Sequence, residues 1–244
     1  HATFPTETRV NVASLVTGCY PDRHGLVANE FYQYSPKGPQ KINTGTYHDL
    51  LTLPEQGDSI LHTKCLSELL GPTHRIVTIN IGTSGNAYLN DHKAVENNDV
   101  LIHPEFSLPS SIGTIIERQF GSWPPAHRPN TARIESATQV LSEYIIPVLQ
   151  PTITTLWLSE PDSTQHHTQV NSPQAQRSIK ACDQAVQQIL DTLAQKALLP
   201  STDILLMSDH GQATVSTTID VATELIDVGL KRSNESADIL VAGK

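Results

Sequence analysis

Two acid–imidazole couples in this chain are spaced to hold metal ions. The first is Asp209-His210, followed by Gly211, at the end of the run 202–208 (Thr-Asp-Ile-Leu-Leu-Met-Ser). That short apolar run predicts a buried strand. Adjacent side chains on a strand face opposite ways, so both can reach one ion only where the chain turns out of the sheet. Gly211 permits such a turn. The second couple is Asp162 and His166 in Glu160-Pro161-Asp162-Ser163-Thr164-Gln165-His166-His167. It follows another predicted strand, 152–159, rich in β-branched residues. A spacing of four places both side chains on one face of a helical turn. Carboxylate oxygen with imidazole nitrogen suits a zinc-like ion. A lone histidine is more often a surface or capping residue; two such couples at two strand exits point to chemistry instead.

A third region supplies a nucleophile candidate. In His1-Ala-Thr-Phe-Pro-Thr-Glu-Thr-Arg-Val-Asn11 the hydroxyl of Thr8 stands at the start of a predicted helix, 8–17. Backbone N–H groups and the positive end of the helix dipole meet an incoming anion there. Taken alone, Thr6 and Thr8 read equally well as helix caps.

The elements that must position these groups alternate between strand and helix. The fold class expected is α/β, a mostly parallel central sheet flanked by helices on both faces. Open sheets of this kind place their ligand crevice at the C-terminal ends of the strands. Arg75–Ile81 predicts a strand entering the loop Gly82-Thr-Ser-Gly85. That loop lacks the glycine spacing and lysine of a P-loop and is assigned a structural role. Residues 132–149 carry helical spacing, Ser172-Pro173 opens a long amphipathic helix to about Leu198, and 218–229 predicts another. Asp238 to Ala242 predicts a final strand. Between about 86 and 130, Asn, Asp, Pro, His and Gly dominate, which predicts an inserted cap or long loop over the sheet mouth.

Composition narrows the partners. The 244 residues can bury a full core as one domain, 1–244. A net charge of −9 argues against a nucleic-acid groove or an anionic membrane surface. No apolar run reaches the length of a membrane-spanning helix. The odd set Cys19, Cys65 and Cys182 cannot be fully paired within the chain. The chain opens at His1 and ends at Gly243-Lys244, and it is expected to be a segment of a longer protein.

The ordered motifs Pro-Thr-x-Thr-x-x-Asn, Ser-Leu-Val-Thr-Gly, Tyr-Pro-x-x-His-Gly with a following Asn, Glu-Pro-Asp-Ser-x-x-His and Ser-Asp-His-Gly resemble those of type I phosphodiesterase/nucleotide pyrophosphatases of the alkaline phosphatase superfamily. The resemblance covers both ends and the middle of the chain. It implies an alkaline-phosphatase-like fold, of which 1–244 is a partial catalytic domain, and two divalent metal ions, zinc in the family. Thr8 matches the nucleophile that forms a phospho-threonine intermediate, and Asn29 the amide that holds a phosphate oxygen. Asp162 and His166 match ligands of one zinc; Asp209 and His210, with Thr8, match ligands of the other. His24 matches a loop-shaping residue, and His167 is expected to point away from the metal. Two such cations can activate the nucleophile and stabilise both oxygens of an in-line displacement.

The activity implied is hydrolysis of phosphate diesters or nucleotide pyrophosphate bonds in a small phosphate-ester substrate. A phosphomonoesterase, a phosphonate hydrolase or a mutase on the same scaffold stays open, as does a catalytically silent domain of that fold. A sulfatase would need Cys or Ser where Thr8 stands. The resemblance also implies a secreted, periplasmic or membrane-tethered parent. The family's upstream Asp and later His ligands are not among these residues, so the chain by itself is expected to bind metal weakly and turn over little. Arg9 stands where nucleotide-specific members often carry an aromatic residue, which marks it as a substrate-binding residue for a more anionic or otherwise different group.

Overall fold

The computed structural model describes residues 2–36, 38–55 and 59–242. In chain order its first half comprises α1 (Thr8–Thr17), α2 (Pro21–His24), β1 (Glu30–Ser35), β2 (Gly38–Asn43), α3 (Tyr47–Glu55), α4 (Leu66–Leu70), β3 (Ile76–Asn80) and α5 (Ser84–Asn90). Then follow β4 (Val100–His103), β5 (Phe106–Leu108), α6 (Ser110–Phe120), α7 (Thr131–Val140), β6 (Ile153–Trp157), α8 (Asp162–Thr168), α9 (Pro173–Gln195) and α10 (Val221–Asp227). A π-helical segment, Leu141–Leu149, continues α7 and contains Pro147. The expected helix 8–17 forms with those limits, closed by Gly18 in the left-handed conformation at φ 65°. Ser172 caps α9, its Oγ accepting the Ala175 N–H.

The main sheet runs β5-β4-β3-β6. Strand β3 is parallel to both neighbours, β4 and β6, while β5 pairs antiparallel with β4. Alternation along the central strands sorts their side chains into two apolar layers. Val77, Ile79, Ile81, Val100 and Ile102 pack against α6, α7, the π-helical segment and α9. Leu101, pointing the other way, joins Val12 and Ala13 of α1, Leu50 and Leu53 of α3, and Ala87 and Leu89 of α5. The sheet is therefore covered on both faces, as its apolar strands require. A separate antiparallel hairpin, β1 and β2, lies between α2 and α3.

Three expectations need correction. The 86–130 stretch is not a cap set over the sheet: β4 and β5 lie within it and belong to the main sheet, and α6 covers that sheet. Its polar loops hid two short strands. The run 202–208 forms no strand among the described residues, and Leu205 and Leu206 are each 82% exposed. A buried strand exists only where neighbours complete its ladder and cover its faces, and none of the described strands does so here. The expected final strand at 238–242 is likewise absent among the described residues. Instead Lys231 Nζ reaches back to the carbonyls of Ser236 and Ile239 at 2.6 and 2.8 Å, and Asp238 pairs with Arg232 at 3.1 Å.

Candidate active site

Helix α1 begins on a β-conformation residue, Glu7, whose side chain makes no capping bond to the helix. Thr8 is thus the first helical residue and not a cap, and its hydroxyl is available to a partner. That partner is His210, whose Nε2 lies 3.1 Å from Thr8 Oγ1. His210 Nε2 is also 3.3 Å from Asp209 Oδ2, and both side chains are largely shielded, at 11% and 16% exposure. Ser208 Oγ donates to the His210 carbonyl at 2.6 Å, and His210 Nδ1 meets the Gly211 carbonyl at 3.1 Å. The chain bends at Asp209, although no strand precedes it.

A short polar chain braces the start of α1. Asn29 Oδ1 accepts the backbone N–H of Arg9 at 3.2 Å, which fixes the amide with Nδ2 as its remaining donor group. The Asn29 N–H donates to Glu7 Oε2. Thr44, fully buried, receives Arg9 Nε at 2.8 Å and donates to the Asn29 carbonyl at 2.8 Å. Asn11 is tied in as well: its Nδ2 donates to the Glu7 carbonyl at 2.9 Å and its Oδ1 accepts the Thr3 N–H at 2.7 Å. Burial lowers the Arg9 pKa, with the Glu7 and Glu30 carboxylates opposing that shift. Arg9 thereby stands beside Thr8 with its guanidinium held through Nε.

The brace is joined to the sheet through α5. The Gly85 N–H donates to the Gly45 carbonyl at 3.1 Å, and the Tyr47 N–H to Ser84 Oγ at 3.2 Å. A Cβ on Gly85 would lie 2.0 Å from the Thr44 carbonyl oxygen, so only glycine fits. The loop 82–85 is held by local bonds: Asn80 Oδ1 accepts the Gly82 N–H and Thr83 caps α5. The start of α1 is thus fastened where the chain leaves β3. His24, also read as structural, is fully buried; its Nδ1 accepts the Leu26 N–H and its Nε2 meets Ser14 Oγ at 2.9 Å. Burial depresses its pKa, which favours the neutral ring.

The second couple sits at the exit of the neighbouring parallel strand. Asp162 opens α8, and His166 Nε2 lies 3.2 Å from Asp162 Oδ1. That oxygen is shut off from solvent and accepts no hydrogen bond among the described residues, although the Asp162 side chain as a whole is 41% exposed. His167 turns back to its own helix, Nδ1 lying 3.0 Å from the Ser163 carbonyl. Glu160 is a positioning residue that the spacing argument passed over. Buried, it accepts the Asn130 N–H at 2.9 Å and the Thr164 N–H at 3.1 Å, fixing the first turn of α8.

Since β3 and β6 are parallel and adjacent, the Asp162/His166 couple and the α1 start lie at the same end of the sheet. The structure joins Thr8, Asp209 and His210 in one contact group and Asp162 with His166 in another. Among the described residues no three His, Cys, Asp or Glu side chains converge in metal-holding geometry. The donors fit a divalent ion as partial sets. Ligands at 2.0–2.1 Å from a tetrahedral zinc lie about 3.3 Å from one another, and the donor separations are 3.1, 3.3 and 3.2 Å.

Comparison with known proteins gives the family and the fold. The sequence model of a family described as type I phosphodiesterase / nucleotide pyrophosphatase matches residues 1–240. A venom phosphodiesterase of Macrovipera lebetinus is 25% identical over 218 residues, covering 88% of this chain and 21% of the relative. Ectonucleotide pyrophosphatase/phosphodiesterase family member 1 of Homo sapiens is 25% identical over 223 residues, covering 85% of this chain and 19% of the relative. The chain therefore spans about a fifth of the length of these relatives. Among solved structures, a phosphonoacetate hydrolase from Sinorhizobium meliloti, in complex with phosphonoformate, superposes with a TM-score of 0.52 at 16% identity. It covers 79% of this chain and 44% of that protein, and the likeness is one of fold.

Proposed function

This chain belongs to the type I phosphodiesterase/nucleotide pyrophosphatase family, and on that premise we propose that it carries the nucleophilic centre of a two-metal hydrolase of phosphate diesters or nucleotide pyrophosphates. The observation that carries the reading is the contact of Thr8 Oγ1 with His210 Nε2, which brings the helix start and the last acid–imidazole couple together.

Asp209, His210 and Thr8 Oγ1 would hold one divalent ion, and Asp162 with His166 would contribute to the other, zinc in each case. When bound, the two ions supply positive charge that favours ionised Thr8 and offsets charge on the transferred phosphoryl group and the leaving oxygen. Thr8 Oγ1 forms a bond to phosphorus as the bond to the leaving oxygen breaks on the opposite side. Asn29 Nδ2 donates to a non-bridging oxygen, and the first turn of α1 presents its positive end to the same group. The product of this step is a phospho-Thr8 that still carries the second ester group, together with a free alcohol or phosphate; the Thr8 proton passes to solvent and the leaving oxygen takes one from it. Water then attacks the phosphorus, restores the Thr8 hydroxyl and releases the second product.

The relatives that bear on location are venom and ectoenzyme proteins, which supports a secreted or membrane-tethered parent. No helix among the described residues is long and apolar enough to cross a membrane.

Two measurements on the full-length protein test the reading. It should hold two equivalents of zinc through gel filtration, and it should cleave an aryl phosphodiester faster than the matching monoester. Faster monoester cleavage would move the assignment to a phosphomonoesterase; absence of bound metal would leave a silent domain of this fold.

A further inference from the structure

We propose that Arg9 determines specificity by receiving an anionic oxyacid group of the substrate, a carboxylate or a terminal phosphate, beside the phosphorus attacked by Thr8. This rests on Thr8 being the nucleophile. Arg9 is the residue after Thr8 in the first turn of α1, so its side chain starts within one residue of the reacting oxygen.

Its attachment is one-sided. Nε donates to Thr44 Oγ1 at 2.8 Å, and Thr44 is itself fully buried and bonded to the Asn29 carbonyl. This clamp fixes the plane of the guanidinium. The terminal nitrogens have no carboxylate within ion-pairing distance among the described residues. The two acids close enough to act on Arg9 are Glu7 and Glu30. Glu7 Oε2 takes the Asn29 N–H, and Glu30 pairs with Lys41 at 2.8 Å.

A half-buried guanidinium anchored through Nε, its terminal pair making no hydrogen bond among the described residues, suits a planar or tetrahedral oxyanion. Its fork matches two oxygens of a carboxylate or phosphate at once. A neutral substituent would gain nothing from this group, so the discrimination sought is between anionic and neutral neighbours of the reacting phosphorus.

The test uses inert phosphonates with the metal-loaded full-length protein, so that binding is read without turnover. Methylphosphonate is the neutral-substituent probe, phosphonoformate the carboxylate probe and methylenebisphosphonate the phosphate probe. Affinities are measured by calorimetry for wild type, Arg9→Gln and Arg9→Lys. The preference of wild type for one of the anionic probes over methylphosphonate should shrink about 10- to 100-fold in Arg9→Gln, the range for hydrogen bonds to charged groups. Arg9→Lys, which keeps the stem and the charge, should restore part of it. The probe whose preference shrinks more identifies carboxylate or phosphate. An unchanged preference in both variants overturns the inference. So does an equal loss for all three probes, which would make Arg9 a support for Thr8 alone. If wild type binds none of the probes, the reading of Thr8 fails, and this inference fails with it.

Discussion

Thr8 Oγ1 and His210 Nε2 lie 3.1 Å apart although 202 positions separate them in sequence. No local propensity produces such a contact. It requires the segment after the long helix α9 to return to the start of α1, and it places an imidazole nitrogen beside the candidate nucleophile. His210→Ala should therefore remove about one of two zinc equivalents. Turnover of an aryl phosphodiester should fall by more than the 10- to 100-fold typical of indirect metal partners. Elemental analysis with steady-state kinetics checks both; full zinc retention would exclude His210 as a ligand.

Glu160 is the hinge of the second couple. Its two oxygens accept N–H groups from Asn130 and Thr164 inside the protein. Glu160→Gln replaces one acceptor with a donor facing a donor, at a cost of about 1–3 kcal/mol. Thermal unfolding should shift down by several degrees, since about 1 kcal/mol moves the midpoint 2–4 °C at this size. Zinc content should fall as well, because the start of α8 carries Asp162.

The contact at Gly85 links sheet and site. Gly85→Ala drives a methyl carbon into the Thr44 carbonyl, which the structure would have to relieve by moving the loop that clamps Arg9. A destabilisation of about 1–3 kcal/mol is expected by chemical denaturation. Activity should drop with it, while Gly18→Ala, where nothing lies within 4 Å, should report only the cost of its left-handed backbone.

A buried carboxyl away from the site makes stability fall with rising pH. Asp91 is fully buried, and burial, reinforced by the Asp99 carboxylate, raises its pKa to about 7. Ser67 and the Lys93 N–H oppose the shift, and Glu96 adds to it. In the unfolded chain the same group titrates near its ordinary value of about 4. Between these values the folded state binds the extra proton, so this group's contribution is present at low pH and is lost as pH rises toward 7. Asp91→Asn should flatten the stability profile across that window. A slope unchanged by the substitution would assign the effect elsewhere.

The sequence carried the parts of this protein that depend on local pattern. Helix α1 closes at Gly18, α9 begins at Ser172-Pro173, and β3 and β6 form from β-branched runs, because caps and apolar periodicity act within a few residues. The candidate residues Thr8, Asn29, Asp209 and His210 come from ordered motifs and the family they resemble, and of these the structure brings Thr8 and His210 into contact. What could not be read was set by distant neighbours. The run 202–208 has strand composition, yet a strand needs a paired edge, and composition does not say whether one is offered. Thr44 lies in no motif, and Glu160 opens the Glu-Pro-Asp-Ser-x-x-His motif without its spacing assigning it a role; they matter because burial leaves their oxygens as the partners of Arg9, Asn130 and Thr164. Strands β4 and β5 were hidden by the turn residues around them.

The central claim, that Thr8 becomes covalently phosphorylated during turnover, has one direct measurement. The zinc-loaded full-length protein is acid-quenched during hydrolysis of an aryl phosphodiester and digested, and the peptide containing Thr8 is weighed by mass spectrometry. The account predicts a phosphoryl ester adduct on Thr8 that appears only with substrate and is missing in Thr8→Ala, which should also be inactive. An unmodified Thr8 peptide alongside full activity in Thr8→Ala would contradict it.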